Sequence, residues 1–204
     1  MILLSYFGIN RYLLLMIKDS ESYIANYSKL PKADNKNKVV ISLTTTPDNI
    51  YKIKPMINSI LDQTVKVDQI ILVLPHNYKE KGYNIPEYIN KVANIVPSGR
   101  DYGEGTKLLP ILLREKECDT TIIALDDDIV YGNDFIYTMI EESQNNPDKV
   151  LVDNKGVSIL VKPDNFGCDV IDRNREKIDN KWFLEKAKDN KIIEYTENYR
   201  NIFL

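Results

Sequence analysis

The chain alternates between short continuous runs of apolar residues and longer segments in which apolar residues recur every three or four positions. The continuous runs are rich in Val and Ile and predict strands that are buried on both faces. The periodic segments predict helices with one apolar face. The predicted strands are 39–43, 69–74, 91–96, 121–125, 150–152 and 157–161, and the predicted helices are 51–61, 107–113, 134–143 and 182–188. Strands that alternate with helices predict an α/β domain with a mostly parallel central sheet flanked by helices.

The N-terminal region differs from the rest of the chain. Residues 1–30 are predicted to form a helical segment, and the polar residues 31–38 a linker to a single main domain, residues 39–204. The apolar run 1–17 is interrupted by an Asn-Arg pair and is shorter than the roughly 20 apolar residues that a membrane-spanning helix needs. We therefore expect it to pack on the domain rather than to rest on a membrane surface. The same segment could also pair two chains into a homo-oligomer.

The composition narrows the class of protein. With 204 residues, 43% of them hydrophobic and 28% charged, the chain has the make-up of one folded domain. A formal net charge of −3 gives no basic surface for nucleic acid, so no nucleic-acid partner is expected. Cys118 and Cys168 have neither a metal-type spacing nor the number that a disulfide framework requires. They favour a reducing compartment, and we therefore expect the protein in the cytoplasm.

Three adjacent carboxylates, Asp126, Asp127 and Asp128, directly follow the fourth predicted strand. Carboxylates side by side repel one another, and a divalent cation such as Mn²⁺ or Mg²⁺ relieves that repulsion because it prefers oxygen ligands. In open α/β sheets, ligands bind beyond the carboxyl ends of the strands, where these residues are expected to lie. The triplet therefore indicates a metal site, with a solvated acidic turn as the alternative.

Two further segments carry groups suited to a nucleotide. Three threonines, residues 44–46, follow the first predicted strand, and their hydroxyls could hydrogen-bond a nucleoside. The loop from Asp101 to Lys107 contains two glycines and leads into a predicted helix, where backbone N–H groups and a lysine could meet phosphate. The alternatives are a plain strand end and a surface lysine.

The segments Val40–Pro47, Asp101–Pro110 and Ile122–Tyr131 occur in this order and together resemble glycosyltransferases of the GT-A fold, close to the family 2-like group. In those enzymes an Asp-x-Asp motif follows the fourth strand. The resemblance covers about residues 39–185. It implies a nucleotide-sugar-binding half at 39–132 and a short acceptor half at 133–204.

The resemblance implies a metal-dependent transfer of a sugar from a nucleotide-diphosphate sugar, with a UDP-sugar favoured, to a hydroxyl of an unidentified glycan, protein or lipid. Asp128 would ligate Mn²⁺ or Mg²⁺, with Asp126 as the second candidate ligand. Asp126 and Asp127 would orient the ribose or a metal-bound water. The other residues implied to bind the donor are Thr44, Thr45, Thr46, Asp101 and Lys107.

The segment Ile178–Leu184 resembles the Asp-Asp-x-Trp segment of the same family. By this resemblance Asp179 is the candidate catalytic base for the acceptor hydroxyl. An Asp just before a helix is also a favoured N-cap, so a purely structural role is the alternative. Trp182 would line the acceptor pocket or pack in the core.

The chain departs from the family pattern at three positions. Glu104 replaces a common proline, Asn49 a frequent arginine, and Asn180 the second aspartate of Asp-Asp-x-Trp. Together with the short acceptor half, these changes leave a catalytically weak or inactive GT-A-like binding or assembly module as the main alternative. A nucleotidyltransferase is a further alternative, although it would favour a glycine-rich loop after the first strand, where this chain has Thr-Thr-Thr-Pro.

Overall fold

The computed structural model describes residues 2–34, 36–76, 78, 80–115, 117–153, 158–167, 170, 178–187, 192–195 and 202–203. Within these ranges the helices are α1 (Ile2–Ile17), α2 (Ser20–Tyr27), α3 (Lys54–Leu61), α4 (Glu87–Val92), α5 (Leu109–Arg114), α6 (Phe135–Asn145) and α7 (Asn180–Lys186). The strands are β1 (Val39–Thr44), β2 (Gln69–Pro75), β3 (Asn94–Ser98), β4 (Thr121–Leu125), β5 (Ile129–Val130), β6 (Val150–Asp153), β7 (Ile159–Val161), β8 (Ile192–Tyr195) and β9 (Ile202–Phe203).

The main sheet has seven strands in the order β3-β2-β1-β4-β7-β6-β8. The first four are mutually parallel, β7 is antiparallel to both of its neighbours, and β8 is parallel to β6. Strands β5 and β9 form a separate antiparallel pair. The predicted α/β class, with a mostly parallel central sheet flanked by helices, is confirmed.

The sheet is covered on both faces because its central strands are apolar at almost every position. Along β1, Ile41 and Leu43 pack in a cluster with residues of α3 and α6, whereas Val40 packs in a second cluster with residues of α5 and α7. Successive side chains of a strand point to opposite faces, so a continuous apolar run supplies both clusters. The polar residues at the strand ends are thereby left at one edge of the sheet.

Most predicted elements differ from the structure by a few residues at their ends, and three of these differences affect the cleft edge of the sheet or have a local cause. Residues 91–92 were predicted in a strand but end α4, and β3 continues through Pro97, which an edge strand tolerates because no ladder bond needs its missing N–H. The helix predicted over 51–61 begins at Lys54, with Pro55 in its first turn. The helix predicted over 107–113 begins at Leu109 and follows a separate 3₁₀ turn, Gly103–Lys107.

The N-terminal helix α1 packs on α3. Leu15 lies in the first apolar cluster, and its carbonyl accepts a hydrogen bond of 2.7 Å from Asn58 Nδ2. The helix also carries exposed apolar residues, which are Leu13, Leu14, Met16 and Ile17. No helix in the described part of the chain is long and apolar enough to cross a membrane. Membrane contact and chain pairing through this helix stay predictions.

Candidate functional site

The carboxyl ends of β1, β2 and β4 meet the 3₁₀ turn before α5 at a cleft of about 300 Å³. Its lining residues are Thr44, Thr45, Thr46, Asn49, Pro75, Tyr78, Asp101, Gly103, Glu104, Lys107, Asp126, Asp127 and Asp128. Every residue that the sequence proposes for the donor or the metal is therefore in one place. Asp179 is not among the described residues that line the cleft.

The acidic loop, residues 126–128, connects β4 to β5. Asp126 and Asp127 are half-buried, whereas Asp128 is exposed. Asp127 and Asp128 also line a neighbouring hollow of about 280 Å³, together with Asn49 and Lys52. Space is thus available on both sides of the carboxylates.

Lys107 is a buried cation at the floor of the cleft. Its side chain is 1% exposed and forms an ion pair with Asp126, whose side chain is 29% exposed. The Lys107 carbonyl accepts a hydrogen bond from the buried Ser42 hydroxyl on β1, which fixes the backbone of the 3₁₀ turn against the sheet. The surface-lysine alternative is therefore wrong. Among the described residues that line the cleft, Lys107 is the only cationic one.

The three threonines after β1 have different local contacts. Thr44 Oγ1 donates to the Val73 carbonyl at 2.8 Å, so this hydroxyl bonds across the sheet. Thr45 Oγ1 donates to Asp127 Oδ2 at 2.5 Å and holds that carboxylate in place. The Thr46 carbonyl accepts from the N–H of Asn49 at 3.0 Å and begins the turn toward α3. Thr45 is thus a support for the acidic loop as well as a wall of the cleft.

Asp101 organises the loop between β3 and α5. Its Oδ1 accepts hydrogen bonds from the Gly103 N–H at 2.8 Å and from Thr106 Oγ1 at 3.3 Å. Gly103 has φ of 67°, which favours glycine. The Gly105 N–H donates to the Ile178 carbonyl at 2.6 Å, so the loop is also tied to the segment before α7. Asp101 therefore has a structural role that its donor-binding prediction did not include.

Asp179 is the N-cap of α7, and its Oδ1 accepts from the Trp182 N–H at 2.9 Å. The carboxylate is exposed and directly follows Ile178, the residue bonded to the cleft loop. Its catalytic role stays a prediction. Trp182 is buried in the second apolar cluster, which places it in the core.

Sequence reasoning missed two residues that line the cleft, Pro75 at the end of β2 and Tyr78 in the loop after it. The signal that could have found them is the end of the second predicted strand, because parallel neighbours end at the same edge of a sheet. For Tyr78 itself, the sequence contains no pattern that separates it from an ordinary loop tyrosine.

Two carboxyl groups of the cleft, those of Asp126 and Asp127, have raised pKa values. Burial raises the pKa of Asp126, although the Lys107 ammonium pulls that pKa back down, and the Asp128 charge raises it further. Burial also raises the pKa of Asp127, against the hydrogen bond from Thr45. A cation near these carboxylates would favour their ionised forms. Their chemistry therefore fits a divalent cation.

Within the described residues, no three acidic, histidine or cysteine side chains converge as a complete metal-binding group. Mg²⁺ and similar ions are commonly held by one or two carboxylates while substrate phosphates and water supply the other ligands. The exposed Asp128 and the half-buried Asp126 fit such a partial ligand set.

The Asp127→Asn variant is expected to be more stable than the wild type at pH 7, by about 0.5–1 kcal/mol. The asparagine oxygen can still accept the Thr45 hydrogen bond, while the buried charge is removed. The folded state raises the pKa of Asp127 above 3.8, so ionising this carboxyl destabilises the folded protein. The cost appears as the pH rises through the raised pKa. The gain should therefore disappear below about pH 3.8. Denaturant unfolding at several pH values measures it, with exposed Asp119→Asn as the control. Equal stability at pH 7 would contradict the expectation.

The chain was compared with models of known protein families and with curated proteins, and it matches none of them. Its function is therefore inferred from the chemistry of the cleft. That chemistry combines an acidic loop, a buried lysine and strand-end hydroxyls around a space open to solvent.

Proposed function

We propose that the chain is a metal-dependent glycosyltransferase of the GT-A type, which transfers a sugar from a nucleotide-diphosphate sugar, with a UDP-sugar favoured, to an acceptor hydroxyl. The observation that carries the proposal is the convergence of Asp126, Asp127 and Asp128 with Lys107 at the carboxyl ends of parallel strands. A mostly parallel α/β sheet suits this type of fold, but many functions share such sheets. The site chemistry therefore has to support the reaction.

The acidic loop would hold Mn²⁺ or Mg²⁺ through Asp128 and Asp126. When bound, the cation acts as a Lewis acid that stabilises the negative charge of the departing nucleoside diphosphate. Lys107 keeps Asp126 in place, and Thr45 does the same for Asp127. The carboxylates are thus oriented before any ligand arrives, which avoids reorganisation during the reaction.

The cleft and the neighbouring hollow lie on the two sides of the acidic loop, which suits a donor made of a nucleotide and a sugar. The main cleft extends from the acidic loop to Asp101 and the threonines, where the nucleoside and diphosphate would bind. The hollow beyond Asp127 and Asp128 adjoins it. Asp179 remains the candidate base, because its exposed carboxylate follows the segment that is hydrogen-bonded to the cleft loop.

Thermal unfolding with UDP or GDP, each with and without Mn²⁺, tests the proposal. We expect one nucleotide to raise the Tm by about 5–10 °C at a hundredfold excess over its Kd, and only when Mn²⁺ is present. The Asp128→Ala variant should lose this shift because it lacks the exposed carboxylate of the loop. Asp119→Ala, a change at an exposed aspartate outside the cleft, should retain it. Absence of a shift with every nucleotide and metal pair would overturn the proposal.

A GT-A-like binding module without turnover is the second candidate. It is favoured by the capping bond of Asp179, which commits one oxygen of the candidate base to α7. Hydrolysis of UDP-sugars separates the two functions. Slow release of free sugar supports the transferase, whereas tight binding without any release supports the binding module.

A further inference from the structure

A buried tyrosine, Tyr131, is hydrogen-bonded to the backbone of the acidic loop. Tyr131 lies just after β5, and its side chain is fully buried. Its hydroxyl accepts a hydrogen bond of 2.9 Å from the Asp126 N–H and donates one of 3.3 Å to the Asp126 carbonyl. Ser158 Oγ donates to the same hydroxyl at 3.4 Å. One donor and two acceptor positions are thus used, which is the full capacity of a phenol.

Tyr131 is itself held from two sides. Its N–H donates to Ser59 Oγ of α3 at 3.1 Å, and its ring packs on Phe135 with centroids 4.8 Å apart. Its carbonyl accepts a hydrogen bond of 2.5 Å from Arg11 Nη1 of α1. Arg11 Nη2 also pairs with Asp62 Oδ2 at 3.0 Å. The one charged residue of α1 is therefore directed toward the main domain and the element that closes the acidic loop.

The loop needs such support because its carboxylates repel one another and because β5 contains only two residues. A neutral buried phenol can bind the backbone of Asp126 without adding charge to the site. The forked guanidinium of Arg11 can bind a carbonyl and a carboxylate together, which a lysine ammonium matches less well.

We propose that Tyr131 is a positioning residue for the acidic loop. Arg11 holds Tyr131 in place, so α1 supports the cleft indirectly. What the loop binds rests on the proposed function, whereas the positioning itself does not. None of the sequence motifs contains Arg11, which lies 120 positions before Tyr131.

Hydrogen exchange of the Asp126 amide, followed by NMR, tests the role of Tyr131. In Tyr131→Phe this amide loses its acceptor, and its exchange should become roughly tenfold faster. The matched control is Tyr137→Phe, which removes the hydroxyl of an exposed tyrosine on α6. The Leu72 amide on β2 reports global unfolding and should stay unchanged after correction for stability. An unchanged rate at Asp126 in Tyr131→Phe would overturn the proposal.

The role of α1 is tested with two substitutions that separate the contacts of Arg11. Arg11→Lys keeps the charge near Asp62 but loses the fork, so we expect faster exchange at the Asp126 amide. Asp62→Asn removes the ion pair and leaves the contact with the Tyr131 carbonyl, so we expect little change there. Equal effects of the two variants would show that α1 contributes only an ion pair and would overturn this half of the proposal.

Mn²⁺ binding by calorimetry connects positioning to function. We expect Tyr131→Phe to weaken the Kd for Mn²⁺ in the presence of UDP by roughly tenfold, in line with one lost buried hydrogen bond. Tyr137→Phe should bind as the wild type does. If the wild type binds no Mn²⁺ with any nucleotide, the proposed function falls, and the exchange rate of the Asp126 amide still decides the role of Tyr131.

Discussion

Replacing Lys107 with Met is expected to lower the free energy of unfolding by about 2–3 kcal/mol at pH 7. The methionine fits the buried stem of the lysine but leaves Asp126 without its ion-pair partner. Removing one partner of a fully buried pair costs more, and the 29% exposure of Asp126 reduces the loss here. Urea unfolding at pH 7 measures the change.

The effect should depend on pH in a defined direction. Burial raises the pKa of Asp126 and the Lys107 ammonium lowers it, so the folded-state pKa rises further when the ammonium is removed. Ionisation of Asp126 then lowers the free energy of unfolding. This loss is absent below the unfolded-state pKa and grows as the pH rises through the folded-state pKa. The destabilisation should therefore be smaller near pH 4 than at pH 7.

Lys91→Met is the matched control, because Lys91 forms ion pairs with Glu21 and Glu87 at an exposed position. Exposed pairs contribute about 0–1 kcal/mol, so this variant should remain close to the wild type. If both lysine variants lose the same small amount, the pair in the cleft is no stronger than a surface pair.

Gly105→Ala is expected to cost about 2–3 kcal/mol. A Cβ built at Gly105 would lie 2.6 Å from Ile178 Cβ and 3.0 Å from the Ile178 carbonyl oxygen. Neither atom is the end of a flexible side chain, so the backbone of one segment must move. That movement would lengthen the hydrogen bond from the Gly105 N–H to the Ile178 carbonyl and displace the start of α7.

Gly99→Ala provides the comparison at the same edge of the sheet. A Cβ there has no atom within 4 Å, and we expect a change of at most about 0.5 kcal/mol. Thermal and urea unfolding of both variants measure the difference. Equal stability of the two would show that the segment at Ile178 yields to the extra carbon without cost.

The part of the site that lies on regular strands could be predicted from sequence. The continuous apolar runs of β1 and β4 end at Thr44 and Asp126, and parallel neighbours bring such ends together. Parallel strands have their carboxyl ends at one edge of the sheet, which brings the threonines and the acidic loop to the same edge, whereas the pairing of β1 with β4 is seen only in the structure. The GT-A type and its activity stay predictions.

The part that depends on distant contacts could not be predicted. The resemblance implied Lys107 as a donor-binding residue, but not that the 3₁₀ turn before α5 buries its side chain against Asp126. Arg11 interrupts an apolar run, which resembles a solvent-exposed position, yet its guanidinium binds both the Tyr131 carbonyl and the Asp62 carboxylate. Local patterns of charge and hydrophobicity do not encode such pairings, because they arise from the packing of segments far apart in the chain.

The strand order also determines when the protein is most vulnerable during synthesis. β1 pairs on one side with β2, but its other partner is β4, with Val39 opposite Thr121. A nascent chain that has emerged only through α5 can form β3, β2 and β1, while one edge of apolar β1 stays open. Unpaired edges of this kind associate with other chains. The docking of β4 closes that edge and delivers the acidic loop in the same step, but the other edge of apolar β4 then stays open until β7 pairs with it.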